Sequence, residues 1–106
     1  MTDKIVVLTT CPSREEAQRI ARRLLDARLA ACVQVLPAMQ SLYHWQGKIE
    51  DSTEHLVLIK SSRPLFDRLR HEIAAAHSYT EPQIVALPII DGAPGYLGWL
   101  DRELAQ

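Results

Sequence analysis

Residues 30–61, AACVQVLPAMQSLYHWQGKIEDSTEHLVLIKS, decide how the rest of the chain can fold. Val33, Val35, Leu36, Met39, Leu42, Tyr43 and Trp45 give residues 30–45 an extended character, and Pro37 marks a bend or an unpaired edge position. Gly47 supplies a turn, after which residues 54–61 return as a strand containing Leu56, Val57, Leu58 and Ile59. The stretch therefore predicts a hairpin. Counted from Ala31, its first arm has 15 residues, or about 50 Å at roughly 3.3 Å each, where an ordinary strand has about five or six.

Upstream, residues 4–10 form a β-branched run stopped by Pro12, which can continue neither a ladder nor a helix. Ser13 and Glu16 have capping-box spacing, with the Glu16 carboxylate expected to reach back to Ser13, and Ala17, Ile20, Ala21, Leu24 and Leu25 follow on one helical face. Downstream, Pro64 suits a first helical turn, and Leu65, Leu69, Ile73 and Ala76 form the buried stripe of a helix ending near His77. Residues 83–90 read as a last core strand and residues 96–104 as a short terminal helix. The order β, α, β, β, α, β plus a helix predicts an α+β, ferredoxin-like split βαβ sandwich, with both helices on one sheet face. Two helices of three or four turns, at roughly 5.4 Å per turn, cannot shield so long a hairpin. Its far half still carries Leu42, Tyr43 and Trp45, so a symmetric oligomer with hairpin arms pairing between subunits is expected.

The 106 residues fit a single domain spanning 1–106, with 12 basic against 13 acidic side chains and a formal charge of -1. That balance leaves no electrostatic footprint for nucleic acid or an anionic membrane. No stretch approaches the roughly 20 apolar residues of a membrane span. The N-terminus reads as a strand rather than a signal peptide, so Cys11 and Cys32 are expected as reduced thiols and the chain as cytoplasmic.

His77, Tyr79 and Glu81 alternate, so in an extended segment they would share one face, as a binder of a metal or small anion would require. Spacing alone favours a plainer reading, with His77 capping a helix C-terminus and Glu81 pairing with a cation. Tyr43 and Trp45 share a strand face, for interface packing or base stacking. Lys60 is out of phase with His55, Val57 and Ile59, so it snorkels or meets an anion. Cys11 precedes a helix N-terminus, where the dipole would make a thiolate more available, whereas Cys32 reads as an apolar core residue. His44, His55 and His71 lack ligand spacing, and no local segment completes a tetrahedral metal site.

The segments LAACVQVLPAMQSLYHWQGKIED, HLVLIKSS, HSYTEPQIVALPI and YLGWLDREL resemble, in order and spacing, the CutA family, named for divalent-cation tolerance. The likeness runs from Val6 to Leu104, and Ser41–Gly47 together with His77–Pro82 make it specific. It implies a compact homotrimer of ferredoxin-like subunits, similar in architecture to PII signalling proteins, with strands paired between subunits and clefts between neighbours. Tyr43, Trp45, Lys60, His77, Tyr79 and Glu81 would be its cleft residues, and Trp99 would help close the terminal helix over the sheet. A metal such as copper would meet His77, Glu81 and Cys11. The chain departs from the family pattern at Ser78, where proline is usual, and at Thr9, where copper-binding members carry a thiol. His77 with Glu81 then suits a borderline divalent ion better than Cu(I).

The resemblance points to a non-enzymatic module responding to metal ions, with no required cofactor, and to a PII-like signalling or anchoring trimer as the alternative. An acylphosphatase-like hydrolase on the same fold would need an arginine and amide donors in a loop after the first strand. Thr9 to Ser13 followed by Arg14 supplies hydroxyls without a glycine cradle. An RRM-like RNA binder would need aromatics on the central strands, and residues 55–61 have none.

Overall fold

In the computed structural model, which describes residues 2–105, the β-branched N-terminal run forms β1, Lys4–Cys11. Pro12 ends it, and α1, Arg14–Asp26, starts at once from Ser13, whose hydroxyl accepts the Glu16 amide at 3.2 Å. The hairpin region contains β2, Cys32–Val35, β3, Met39–Trp45, and β4, Lys48–Ser62. A 3-10 turn at Arg63–Leu65 takes Pro64 in its first positions and leads into α2, Phe66–Ala76. Strand β5, Val85–Pro88, and helix α3, Pro94–Glu103, complete the order.

All strand pairs are antiparallel, in the order β2-β4-β1-β5, with β3 paired to the outer half of β4. Both βαβ crossovers skip a strand, as the ferredoxin-like split βαβ fold requires. Odd positions of β1 and inner β4, among them Ile5, Val7, Val57 and Ile59, pack beneath Ile20 and Leu24 of α1 and Leu69 and Ile73 of α2. Each such side chain contributes roughly 1.5 to 3 kcal/mol by leaving water. Even positions, such as Val6, Leu8, Leu56 and Leu58, face the other side and are only partly covered within one chain. No helix among the described residues is long and apolar enough to cross a membrane.

Four expected features differ. The 15-residue strand is the returning arm β4, not the first arm, because Pro37 divides the first arm into β2 and β3. Pro37 has no amide to donate, so the ladder ends at the Leu36 amide on the Leu56 carbonyl, 2.9 Å, and the His55 ring bonds the Leu36 carbonyl at 3.0 Å. The last strand covers only Val85–Pro88 and is an exposed edge rather than a core strand; Pro82 and the segment before it hold the chain in bends. Helix α3 starts earlier, at Pro94. It is anchored by Leu100 and Leu104 and by the Lys4–Asp101 ion pair at 3.0 Å, while Trp99 stays exposed and stacks on Tyr96.

The break at Pro37 resets the register. Val35 lies opposite Val57, whereas Met39 lies opposite Glu54, so residues 36–38 face only residues 55–56. One extra residue on the first arm moves its side chains to the opposite sheet face. Val33 and Val35 therefore point under the helices, but Met39, Ser41, Tyr43 and Trp45 point to the open face with Glu54, Ser52 and Glu50. This reset positions the site.

Candidate functional site

Helix α2 ends without a glycine; its last residue is followed by His77 in extended backbone, which swings the ring inward against the end of β1. The His77 side chain is 0% exposed. Its Nε2 lies 2.7 Å from the Thr10 carbonyl oxygen, which can only accept, so Nε2 carries the proton. Nδ1 accepts the Tyr79 amide at 3.1 Å. Cys11 Sγ is 3.9 Å from Nε2, and a Glu16 oxygen is 3.3 Å from Nδ1. That oxygen also accepts the Ser78 amide at 3.1 Å. Glu16 thus ties α1 to the loop after α2 and does not return its carboxylate to Ser13, as the capping-box spacing suggests.

Sequence spacing did not bring Glu16 into this group. Its burial at a helix start otherwise lined by exposed side chains becomes visible only when α2 packs alongside. Cys11, Glu16 and His77 lie within 4.8 Å of one another through their potential ligand atoms. The expected reactive thiolate does not occur. Burial first, then the nearby Glu16 and Glu54 carboxylates, push the Cys11 thiol up to about 11, which outweighs a helix dipole. Its neighbour Thr9 is fully buried with a hydroxyl lacking a partner among the described residues.

From His77 the chain bends through residues 78–81 rather than running extended. His77 therefore faces the helix side, while Tyr79 crosses the end of β1 and donates its hydroxyl to Glu54 Oε2 at 2.9 Å on the open face. Burial, followed by this bond and the Glu54 charge, holds the Tyr79 phenol well above its ordinary range, so it stays a donor. Around this bridge lies an open cleft of about 1170 Å³, with walls that include Tyr43, Trp45, Tyr79, Glu50, Glu54 and Glu81. Four of the six expected cleft residues, Tyr43, Trp45, Tyr79 and Glu81, thus meet. His77 stands behind the wall. Glu81 is exposed in the cleft and Cys11 is enclosed in the core, so the expected ligand set of His77, Glu81 and Cys11 is split between two environments.

Lys60 does not join the cleft. It lies six positions from Glu54 along β4, about 20 Å at roughly 3.4 Å per residue. Its ammonium donates to Gln34 at 2.9 Å and sits 5.9 Å from the Tyr96 ring centre. Cys32 is half-buried on this open face, opposite Lys60, rather than in the core. The hydroxyls after β1 form no phosphate cradle: Ser13 caps α1, Thr9 points into the core and Arg14 is exposed.

The family model described as CutA1 divalent ion tolerance protein matches residues 5–103. The chain belongs to the CutA1 family. It is 47% identical to the divalent-cation tolerance protein CutA of Thermus thermophilus over 90% of this chain and 92% of that one. The solved CutA1 structure from Thermus thermophilus superposes with a TM-score of 0.94, at 44% identity over 96% of this chain and 99% of that chain. CutA1 from Oryza sativa superposes with a TM-score of 0.95, at 38% identity over 97% of this chain and 94% of that chain. A rice CutA relative is described as chloroplastic, and the Archaeoglobus fulgidus structure, at 43% identity and a TM-score of 0.91 over 94% and 97% of the two chains, as periplasmic. The Thermus thermophilus and Archaeoglobus fulgidus descriptions speak of divalent-cation tolerance.

Proposed function

We propose that the chain is a non-enzymatic divalent-cation tolerance protein that assembles as a PII-like homotrimer and holds a divalent metal or small ligand in clefts between subunits. One observation carries this reading: the carboxylate-lined cleft sits on an open sheet face whose ribbon exposes large apolar groups. Leu42 is 65% exposed, Trp45 59% and Ile49 72%. Apolar surface of this extent on a long strand pair invites coverage by another copy of the chain. The relatives' names supply the link to cations.

The enclosed Cys11, Glu16 and His77 trio does not suit copper. Its thiol is held protonated, one imidazole nitrogen donates to the Thr10 carbonyl and the other accepts the Tyr79 amide. Ligation would require breaking those bonds and ionising the thiol in a buried, acidic setting. The carboxylates of Glu50, Glu54 and Glu81 offer oxygen donors instead, the set that hard divalent ions prefer. These groups would hold the ion, and its chemistry there is charge neutralisation. Cytoplasmic residence is part of the same proposal, although some relatives are described from other compartments.

Light scattering on purified protein at micromolar concentration is expected to give three times the chain mass. Calorimetric titration of metal-free protein with manganese and copper is expected to give heat with manganese that Glu54→Gln reduces. A monomer at that concentration would sink the assembly. A trimer with flat heats for both metals would favour the anchoring alternative.

A further inference from the structure

We infer that the cleft takes a small organic cation, an ammonium group carrying an apolar body, and rejects anions. This rests on the cleft reading above and names the chemical class of its small ligand.

Three facts point the same way. Tyr43, Trp45 and Tyr79 present their rings to a cleft that also receives the carboxylates of Glu50, Glu54 and Glu81, and no lysine, arginine or histidine among the described residues lines it. Within one chain, a phosphate or carboxylate would therefore enter among three negative charges. Lys48, opposite Trp45 at the ribbon tip, is exposed and outside the cleft lining, and Lys60 is engaged with Gln34 and Tyr96 at the far end of the face. Second, the polar groups are arranged to accept. Glu54 is buried and already takes the Tyr79 hydroxyl on one oxygen, and no bond to its second oxygen occurs among the described residues. The Ser52 hydroxyl, shielded from solvent on the cleft wall, has no hydrogen-bond partner among the described residues. An N–H donor satisfies the open Glu54 oxygen, while the Ser52 hydroxyl can either donate or accept.

Third, aromatic walls discriminate between cations. A hydrated divalent ion gains nothing specific from rings, whereas a weakly hydrated organic ammonium is attracted to ring faces and buries its apolar body against them. At about 1170 Å³ the cleft is large for a bare ion and matches the upper end of small-molecule sites, roughly 300 to 1,000 Å³.

The test uses the intact chain, with its mass in solution recorded by light scattering on the same sample. Calorimetry compares 2-phenylethylammonium with its neutral analogue 2-phenylethanol and the anion phenylacetate at pH 7, with a separate manganese titration. The ammonium is expected to bind about tenfold more tightly than the alcohol, and phenylacetate to give no heat. Glu81→Gln, an exposed change, is expected to weaken the ammonium by roughly threefold at unchanged oligomeric mass. Equal affinity for alcohol and ammonium, uptake of phenylacetate, or no ammonium heat overturns the inference. Manganese heat without ammonium heat overturns it while leaving the metal reading intact; ammonium binding by a monomer overturns the assembly and leaves the inference.

Discussion

His77 shows how far a residue's role depends on its surroundings. As an isolated helix-end histidine it would be expendable, but its ring is enclosed and supplies the hydrogen bond to the Thr10 carbonyl. His77→Ala is expected to cost about 2 to 3 kcal/mol, because a buried acceptor loses its donor and a cavity remains. Urea denaturation measures this, and a loss below about 0.5 kcal/mol would be that of an ordinary surface site. Cys11 makes a pH-dependent contribution with a definite sign. Burial pushes its thiol from an ordinary 9.0 up to about 11 in the folded chain. Between those values the unfolded chain sheds a proton that the native chain keeps, so stability falls as pH rises through that window and is unaffected below it. Comparing urea midpoints at pH 8 and pH 10.5, Cys11→Ala is expected to lose less stability than the parent; equal losses would remove the thiol as a cause. The residue-level site was half legible. Tyr43 and Trp45 were readable from strand alternation and Tyr79 and Glu81 from the family spacing alone, because residues 78–81 bend, whereas Glu16 belongs to another helix and Lys60 shares the face without sharing the place.

At the scale of elements, sequence periodicity located both main helices, β1 and the hairpin, because these depend on local pattern, capping and proline chemistry. It misjudged the arm lengths, since Pro37 was legible as a bend but not as a change of register. That change depends on which residues of β4 pair on each side of it. Deleting Ala38 is expected to remove the extra residue, turn Tyr43 and Trp45 away from the cleft and bring His44 round to it. Binding of 2-phenylethylammonium should then be abolished while thermal unfolding of the deletion protein remains cooperative. Retained affinity would contradict the register account. Strand β5 was overextended for a related reason: an apolar run cannot by itself distinguish a core strand from an edge.

For the whole molecule, the exposed ribbon separates intrachain from interchain stability. Trp45 is 59% exposed within one chain, so its removal takes little from the isolated subunit. In an assembly that covers it, truncation is expected to cost about 3 kcal/mol or more per subunit. Trp45→Ala should therefore dissociate at higher concentration than the parent in sedimentation velocity, with circular dichroism unchanged. Superimposable sedimentation profiles across dilution would show that nothing packs on the indole. Hairpin length and its large apolar groups made an oligomer an expectation, but the two unequal ends of the open face, one carboxylate-rich and one carrying Lys60, emerge only from the folded sheet.

The proline-centred insertion also separates two alphabets written on one ribbon. Positions before it spell the compatibility of the sheet with its helices; positions after it spell chemical taste. Descendants of this sequence could thus revise the second vocabulary without relearning the first.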